Sequence, residues 1–233
     1  MIRLDNISLG YANRTLIDSL SAHIERGKLT ALVGRNGTGK STLLRTIAGL
    51  AEPFSGEIEL GGKPLSKLST AELATTISFV TTDKVRIANL RCRDVVALGR
   101  APYTNWIGRM QDEDRAIVEQ SLAAVGMSSY ADKSMDRMSD GECQRIMIAR
   151  ALAQQTPIIL LDEPTAFLDM PNRYELCDLL RGLAHNEGKC ILFSTHDLDS
   201  AMPVCDSVAI IDGGTLRKLP TAEAAAEIER IFR

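Results

Sequence analysis

Short apolar runs punctuate this chain and set its architecture. IRLDNISL (Ile2 to Leu9), LTALV (Leu29 to Val33), EIEL, ISFV, IILLD, CILFST and SVAIID each have strand length and are separated by turns or by helical stretches. That arrangement predicts an α/β fold with a largely parallel sheet and helices on its faces. The first run alternates like a strand entering a turn.

Between ISFV and IILLD the pattern changes. From about Asp83 to Thr156 no convincing strand occurs, and RCRDVVALGR, DEDRAIVEQSLAAVGM and SDGECQRIMIARALAQ carry apolar residues at i, i+3, i+4 spacing. Gly126 is a plausible helix stop there, and TAEAAAEIERIFR near the end reads as another helix. The chain is therefore expected to be a single domain, 1–233, with a core from 1–82 and 157–233 and an inserted helical part at 83–156. No internal repeat, low-complexity tract or Pro-rich linker separates these parts, so they should pack together.

Composition narrows the classes. The 233 residues are 45% hydrophobic, enough for a sizeable core, and the formal net charge of −3 argues against a general nucleic-acid binder. Cys92, Cys143, Cys177, Cys190 and Cys205 are widely spaced with no C-x-x-C, which suggests reduced thiols rather than a disulfide framework or zinc site. No signal peptide is read at the N-terminus, and PIILL and CILF fall far short of the ~20 residues needed to span a bilayer. The chain is expected to be soluble, with any membrane role exercised through partners.

The chemistry begins at GRNGTGKST. Gly34, Arg35, Asn36, Gly37, Thr38, Gly39, Lys40, Ser41 and Thr42 follow a strand and open a helix, the setting in which a Gly-rich loop cradles phosphates. Lys40 would reach the β- and γ-phosphates of a nucleotide and Ser41 a Mg²⁺ ion. IILLDEP ends an apolar strand in two acids, where a parallel sheet places its ligands. Asp162 would hold Mg²⁺ through water and Glu163 would polarise the attacking water, although D-E-P is also turn chemistry. In MSDGECQR, Ser139 and Glu142 fit a capping box. Gly141 leaves backbone N–H groups accessible in the first turn, so a second anion-binding helix start is open beside the plain capped helix.

A phosphate loop, this helix start and LLDEP, in that order, resemble the ATP-binding cassette (ABC) ATPases, and the resemblance covers essentially the whole chain. Tyr11 resembles the family's adenine-stacking aromatic, MSDGE its signature, FLD ending in Asp169 its D-loop, and STHD places His196 as the switch histidine. By themselves Tyr11 could fill a turn and His196 could be a capped core histidine. The resemblance implies a P-loop NTPase core with an N-terminal antiparallel β part, ATP and Mg²⁺ as cofactors and a second copy of the chain as partner, with ATP held between the loop of one subunit and the signature of the other. Two departures stand out: Asp140 and Glu142 replace a Gly and a Gln of the usual signature, and Thr82 in FVTTDK takes the place of the usual Gln. Asp83, or Thr82 through water, is a candidate substitute toward the metal, against a loop that serves only as a mechanical link.

DVVALGRAPYTNWIGR and LLDEPTAFLDMPNR resemble ATPases of bacterial importers for iron–siderophore complexes, haem and cobalamin. That likeness implies polytopic permease subunits and, indirectly, a substrate-binding protein as partners, no nucleic acid, and a place on the cytoplasmic face of the bacterial inner membrane. With no fused membrane domain, second cassette, long coiled-coil insertion or appended regulatory domain in the chain, a stand-alone transporter subunit is expected. The alternatives are a soluble ABC ATPase acting on nucleic acid or protein assemblies, or the ATPase of another small transporter. Trp106 reads as packing or subunit contact.

Overall fold

The computed structural model describes residues 1–11, 14–83, 88–104 and 109–232, so Trp106 lies outside the described residues. Strands β1 (Ile2–Tyr11) and β2 (Arg14–Ile24) form a hairpin, followed by β3 (Leu29–Gly34) and α1 (Lys40–Ile47). Then come β4 (Ser55–Leu60), β5 (Lys63–Pro64), α2 (Thr70–Thr76) and β6 (Ile77–Val80). Helices α3 (Cys92–Ala97), α4 (Asp112–Ala124) and α5 (Asp140–Ala153), with short 3₁₀ turns between them, precede β7 (Ile158–Asp162). The chain closes with α6 (Met170–Glu187), β8 (Cys190–Ser194), α7 (Leu198–Ala201), β9 (Ser207–Asp212), β10 (Thr215–Pro220) and α8 (Thr221–Phe232).

Two sheets result, one four-stranded and antiparallel (β2-β1-β4-β5), the other six-stranded in the order β10-β9-β3-β8-β7-β6. In the larger sheet β9, β3, β8, β7 and β6 run parallel and only β10 is antiparallel. The predicted mixture of parallel core, antiparallel β part and helices is what the chain forms.

Alternation explains why the central runs are apolar throughout. In β7, Ile159 and Leu161 face the core shared with α3, α4, α5, α6 and α8, whereas Ile158 and Leu160 face the core beneath α1 and the antiparallel sheet. β8 divides the same way, with Ile191 and Phe193 on one side and Cys190 and Leu192 on the other. A strand covered on both faces is apolar except where a buried hydroxyl finds a partner, as Thr30 of β3 does with Ser207 at 3.0 Å. Because these strands are parallel, their carboxyl ends meet at one edge, and the loops after β3, β6, β7 and β8 all leave from it.

Helix limits follow local chemistry. α4 gives way at Val125 to Gly126, whose φ of 71° suits the left-handed stop. All the cysteines are free and buried. Among the described residues no helix is long and apolar enough to cross a membrane.

Candidate functional site

β3 delivers the loop 34–39 to the sheet's carboxyl edge. Gly34 is pressed so close to its surroundings that a Cβ there would lie 2.7 Å from the Ile211 carbonyl oxygen and 2.8 Å from Thr38 Oγ1. Gly39, at the N-cap of α1, has φ 104° and offers no side chain to cap the helix, so the first-turn N–H groups remain available to an anion. The loop is braced internally by Thr38, whose hydroxyl donates to the Arg35 carbonyl at 2.9 Å. Arg35, Asn36, Gly37 and Ser41 are exposed, and Thr42 is half-buried.

Lys40 is buried, and its ammonium donates to the Gly34 carbonyl at 2.8 Å and the Arg35 carbonyl at 3.3 Å. Burial pushes its pKa below the ordinary lysine value, while the charges of Glu163 and then Asp162 pull it back up. The same couplings place Lys40 in the electrostatic reach of both acids. β2 of the hairpin lies against this loop, since a Cβ at Gly39 would meet Leu16 and Ile17 at 3.3 and 3.4 Å. Tyr11 pairs with Arg14 across the hairpin tip and is 78% exposed, its ring free to stack.

Asp162 ends β7 in a buried position opposite Ser194 of β8. The Ser194 hydroxyl donates to Asp162 Oδ1 at 2.6 Å and accepts the Glu163 N–H at 2.9 Å. Glu163 has φ 49°, a left-handed conformation uncommon for a residue with a side chain. Its carboxylate meets His196 Nε2 at 2.6 Å. Asp162, Glu163, His196 and Lys40, marked separately in the sequence, are thus gathered at one edge. Thr82 joins them, its hydroxyl donating to the Asp162 backbone carbonyl at 3.1 Å. Asp83 turns elsewhere, 71% exposed and paired with Arg45 of α1 at 3.6 Å.

Sequence reasoning missed Ser194, Arg45 and Arg173. Arg173 donates through Nε to the Leu168 carbonyl at 2.8 Å and through Nη1 to Asp197 at 3.3 Å, tying the turn before α6 to the residue after His196. No local signal marks Ser194, because its place opposite Asp162 comes from the register of β7 and β8.

No group of three or more His, Cys, Asp or Glu able to cage a metal occurs among the described residues. Asp162 and the Ser41 hydroxyl are instead a sparse set of hard oxygens, on a strand and a helix that pack together. Such a set fits Mg²⁺, which keeps several waters and shares the ligand's phosphates with one or two protein oxygens.

The α5 start forms its own cleft of about 570 Å³, lined by Ser139, Gly141, Glu142, Phe167 and Asp169 among others, and no phosphate-loop residue lines it. Glu142 is turned back into the capping box: its carboxylate accepts from the Ser139 N–H and hydroxyl, both at 2.8 Å. The Ser139 backbone bond comes first among the causes that hold its pKa below the usual glutamate value. Gly141 is required, because a Cβ would lie 2.8 Å from the Phe167 carbonyl. Asp169 caps α6 by accepting from the Asn172 N–H at 3.2 Å.

Residues 17–166 match the protein family described as ABC transporter. The chain belongs to that family. It is 41% identical over 211 residues (91% of this chain, 73% of the other) to an uncharacterized ABC transporter ATP-binding protein of Methanocaldococcus jannaschii. It is 38% identical to the achromobactin transport ATP-binding protein of Dickeya dadantii, covering 90% of this chain and 78% of that one. With the iron(3+)-hydroxamate import ATP-binding protein of Bacillus subtilis it shares 36% identity over 94% of this chain and 81% of that one. Its fold is similar to an inward-facing metal-chelate type ABC transporter, with TM-score 0.85, 25% identity, 99% of this chain and 88% of that chain. A dimeric post-hydrolysis ATP-binding cassette bound to ADP and Pi is also similar, with TM-score 0.84, 27% identity, 95% of this chain and 99% of that one.

In an ABC dimer the signature of one copy would approach the phosphates held by the other, so the charge at Asp140 matters. Asp140→Gly is expected to tighten ATP-driven dimerisation by removing an acidic group where phosphate approaches. Sedimentation of the ATP-bound protein checks this; an unchanged or weaker dimer shows that the acid is compensated.

Proposed function

We propose that this chain is the ATP-hydrolysing subunit of an importer for a chelated metal, of the iron–siderophore, haem or cobalamin kind. The observation that carries the hydrolytic half is the Glu163–His196 contact of 2.6 Å at the edge that also holds Lys40 and Asp162. The names borne by relatives of similar length, achromobactin transport and iron(3+)-hydroxamate import, support the cargo class.

In this reading the phosphates of ATP lie on the α1 N-terminus and Lys40, and the adenine stacks on Tyr11. Mg²⁺, held from Asp162 and Ser41, supplies charge neutralisation at the phosphates. Glu163 would take the proton of the attacking water, and His196, through Nε2, fixes the Glu163 carboxylate. Ser139 and Gly141 of a second copy close over the same nucleotide. The dimer sits on polytopic permease subunits at the cytoplasmic face of a bacterial inner membrane, and a substrate-binding protein delivers cargo on the far side.

Thr82, through water, takes the part of the missing glutamine toward the metal, and Asp83, turned from the metal to Arg45 of α1, steadies the loop that carries Thr82. Replacing both by alanine should raise the Mg²⁺ concentration needed for half-maximal ATPase activity. An unchanged Mg²⁺ dependence, with transport alone lost, leaves a mechanical link instead.

Purification of the tagged chain from its native membranes in mild detergent tests the partner assignment. Co-purification of a many-spanned permease supports it; recovery with nucleic acid or a soluble protein assembly, and no permease, overturns it.

A further inference from the structure

Ser194 is wholly buried at the end of an otherwise apolar strand, and the parallel register sets it directly opposite Asp162. Packing alone would accept alanine or valine there. A serine hydroxyl has one proton and two lone pairs, and both functions are used on consecutive residues, the last of β7 and the one after it. The proton goes to Asp162 Oδ1 at 2.6 Å, a length typical of a charge-assisted bond to a carboxylate. A lone pair receives the Glu163 N–H at 2.9 Å. The first bond fixes the rotation of the Asp162 carboxylate and leaves its other oxygen for a ligand. The second holds the peptide on which Glu163 turns into its left-handed conformation, and that turn is what points the carboxylate to His196.

We infer that Ser194 is a positioning residue of the hydrolytic site, a single hydroxyl that aligns the metal-facing carboxylate and the water-activating one together. This rests on the ATPase reading, since only with a metal–nucleotide bound does the alignment have a consequence. Its chemistry is positional: Ser194 is wholly buried behind the two carboxylates, and no proton leaves it during the reaction.

The test uses the full-length chain and Mn²⁺ with ADP, Mn²⁺ being an oxygen-seeking stand-in for Mg²⁺ visible by electron paramagnetic resonance. Ser194→Ala removes only the oxygen, and Ser194→Thr keeps the hydroxyl while adding a methyl group. In Ser194→Ala, Mn²⁺ affinity in the ADP complex should fall about tenfold, as expected for loss of a hydrogen bond to a charged group. ADP affinity without metal should not change, and the Glu163 amide should exchange its proton faster. Ser194→Thr should retain Mn²⁺ affinity near the wild-type value. Wild-type Mn²⁺ affinity and Glu163 exchange in Ser194→Ala, even with a lowered melting temperature, would overturn the inference and leave Ser194 a packing residue. Equal losses in both variants would overturn it as well, because the methyl group rather than the hydroxyl would then decide. A wild-type chain that binds no ADP, with or without metal, would instead bring down the ATPase reading beneath it.

Discussion

Glu163→Gln is expected to keep ATP and lose turnover by a factor of 10²–10⁴, the usual contribution of a positioned general base. Glutamine has the shape of the carboxylate and can still meet His196, which approaches at 2.6 Å, so the local turn and its bond to Ser194 should survive. What disappears is proton affinity at the atom that faces the water. Hydrolysis then no longer separates the two copies, and ATP-bound dimers should accumulate on a sizing column. A normal rate would show that another group takes the proton.

Lys40→Ala is expected to act one step earlier, on binding itself. In the free chain the ammonium is satisfied by two loop carbonyls, at 2.8 and 3.3 Å, and it lies between burial that disfavours its charge and two acids that favour it. Phosphate oxygens would replace those carbonyls as acceptors, and charge-assisted bonds of this kind are worth about 1.5–3 kcal/mol each. Losing about 3 kcal/mol weakens ATP affinity roughly a hundredfold. Equilibrium binding of a fluorescent ATP analogue reads the change directly; affinity within a few-fold of wild type would remove Lys40 from the phosphate site.

The site was legible in the chain where chemistry is local. The phosphate loop and the two acids of IILLDEP announce themselves within a few residues, His196 only through its register with them in the family resemblance, and parallel strands then bring them to one edge. Ser194 was not legible, because its partners are set by the register between β7 and β8, which no local pattern encodes. The same holds for Arg173 and for the pairing of Asp83 with Arg45.

The fold follows a similar rule. β7 and β8 stand out because burial on both faces makes them apolar until their last residue, and in β3 Thr30 alone interrupts the apolar run Leu29 to Val33. β2 does not, because its buried Ile17, Leu20 and Ile24 fall at helix-like spacing. Bulges in the β1–β2 pairing and left-handed residues at Asn6 and Ser19 are what let a strand bury that pattern. β10 hides for another reason: it is an edge strand with Arg217 and Lys218 in it and a proline at its end. α6 carried readable limits that the strand pattern alone passed over, with Asp169 at its cap, Pro171 in its first turn and Gly188 at its stop with φ 65°.

Reconstituted transport tests the central claim most directly. The chain, its co-purified permease and the substrate-binding protein are placed in liposomes with ATP and Mg²⁺ sealed on the side of this subunit, and a radiolabelled ferric siderophore, haem or cobalamin is offered outside. Accumulation of one of these inside, dependent on ATP and absent when the chain carries Glu163→Gln, is the result expected. An assembly that hydrolyses ATP yet takes up none of them, or expels solute instead, would contradict the assignment.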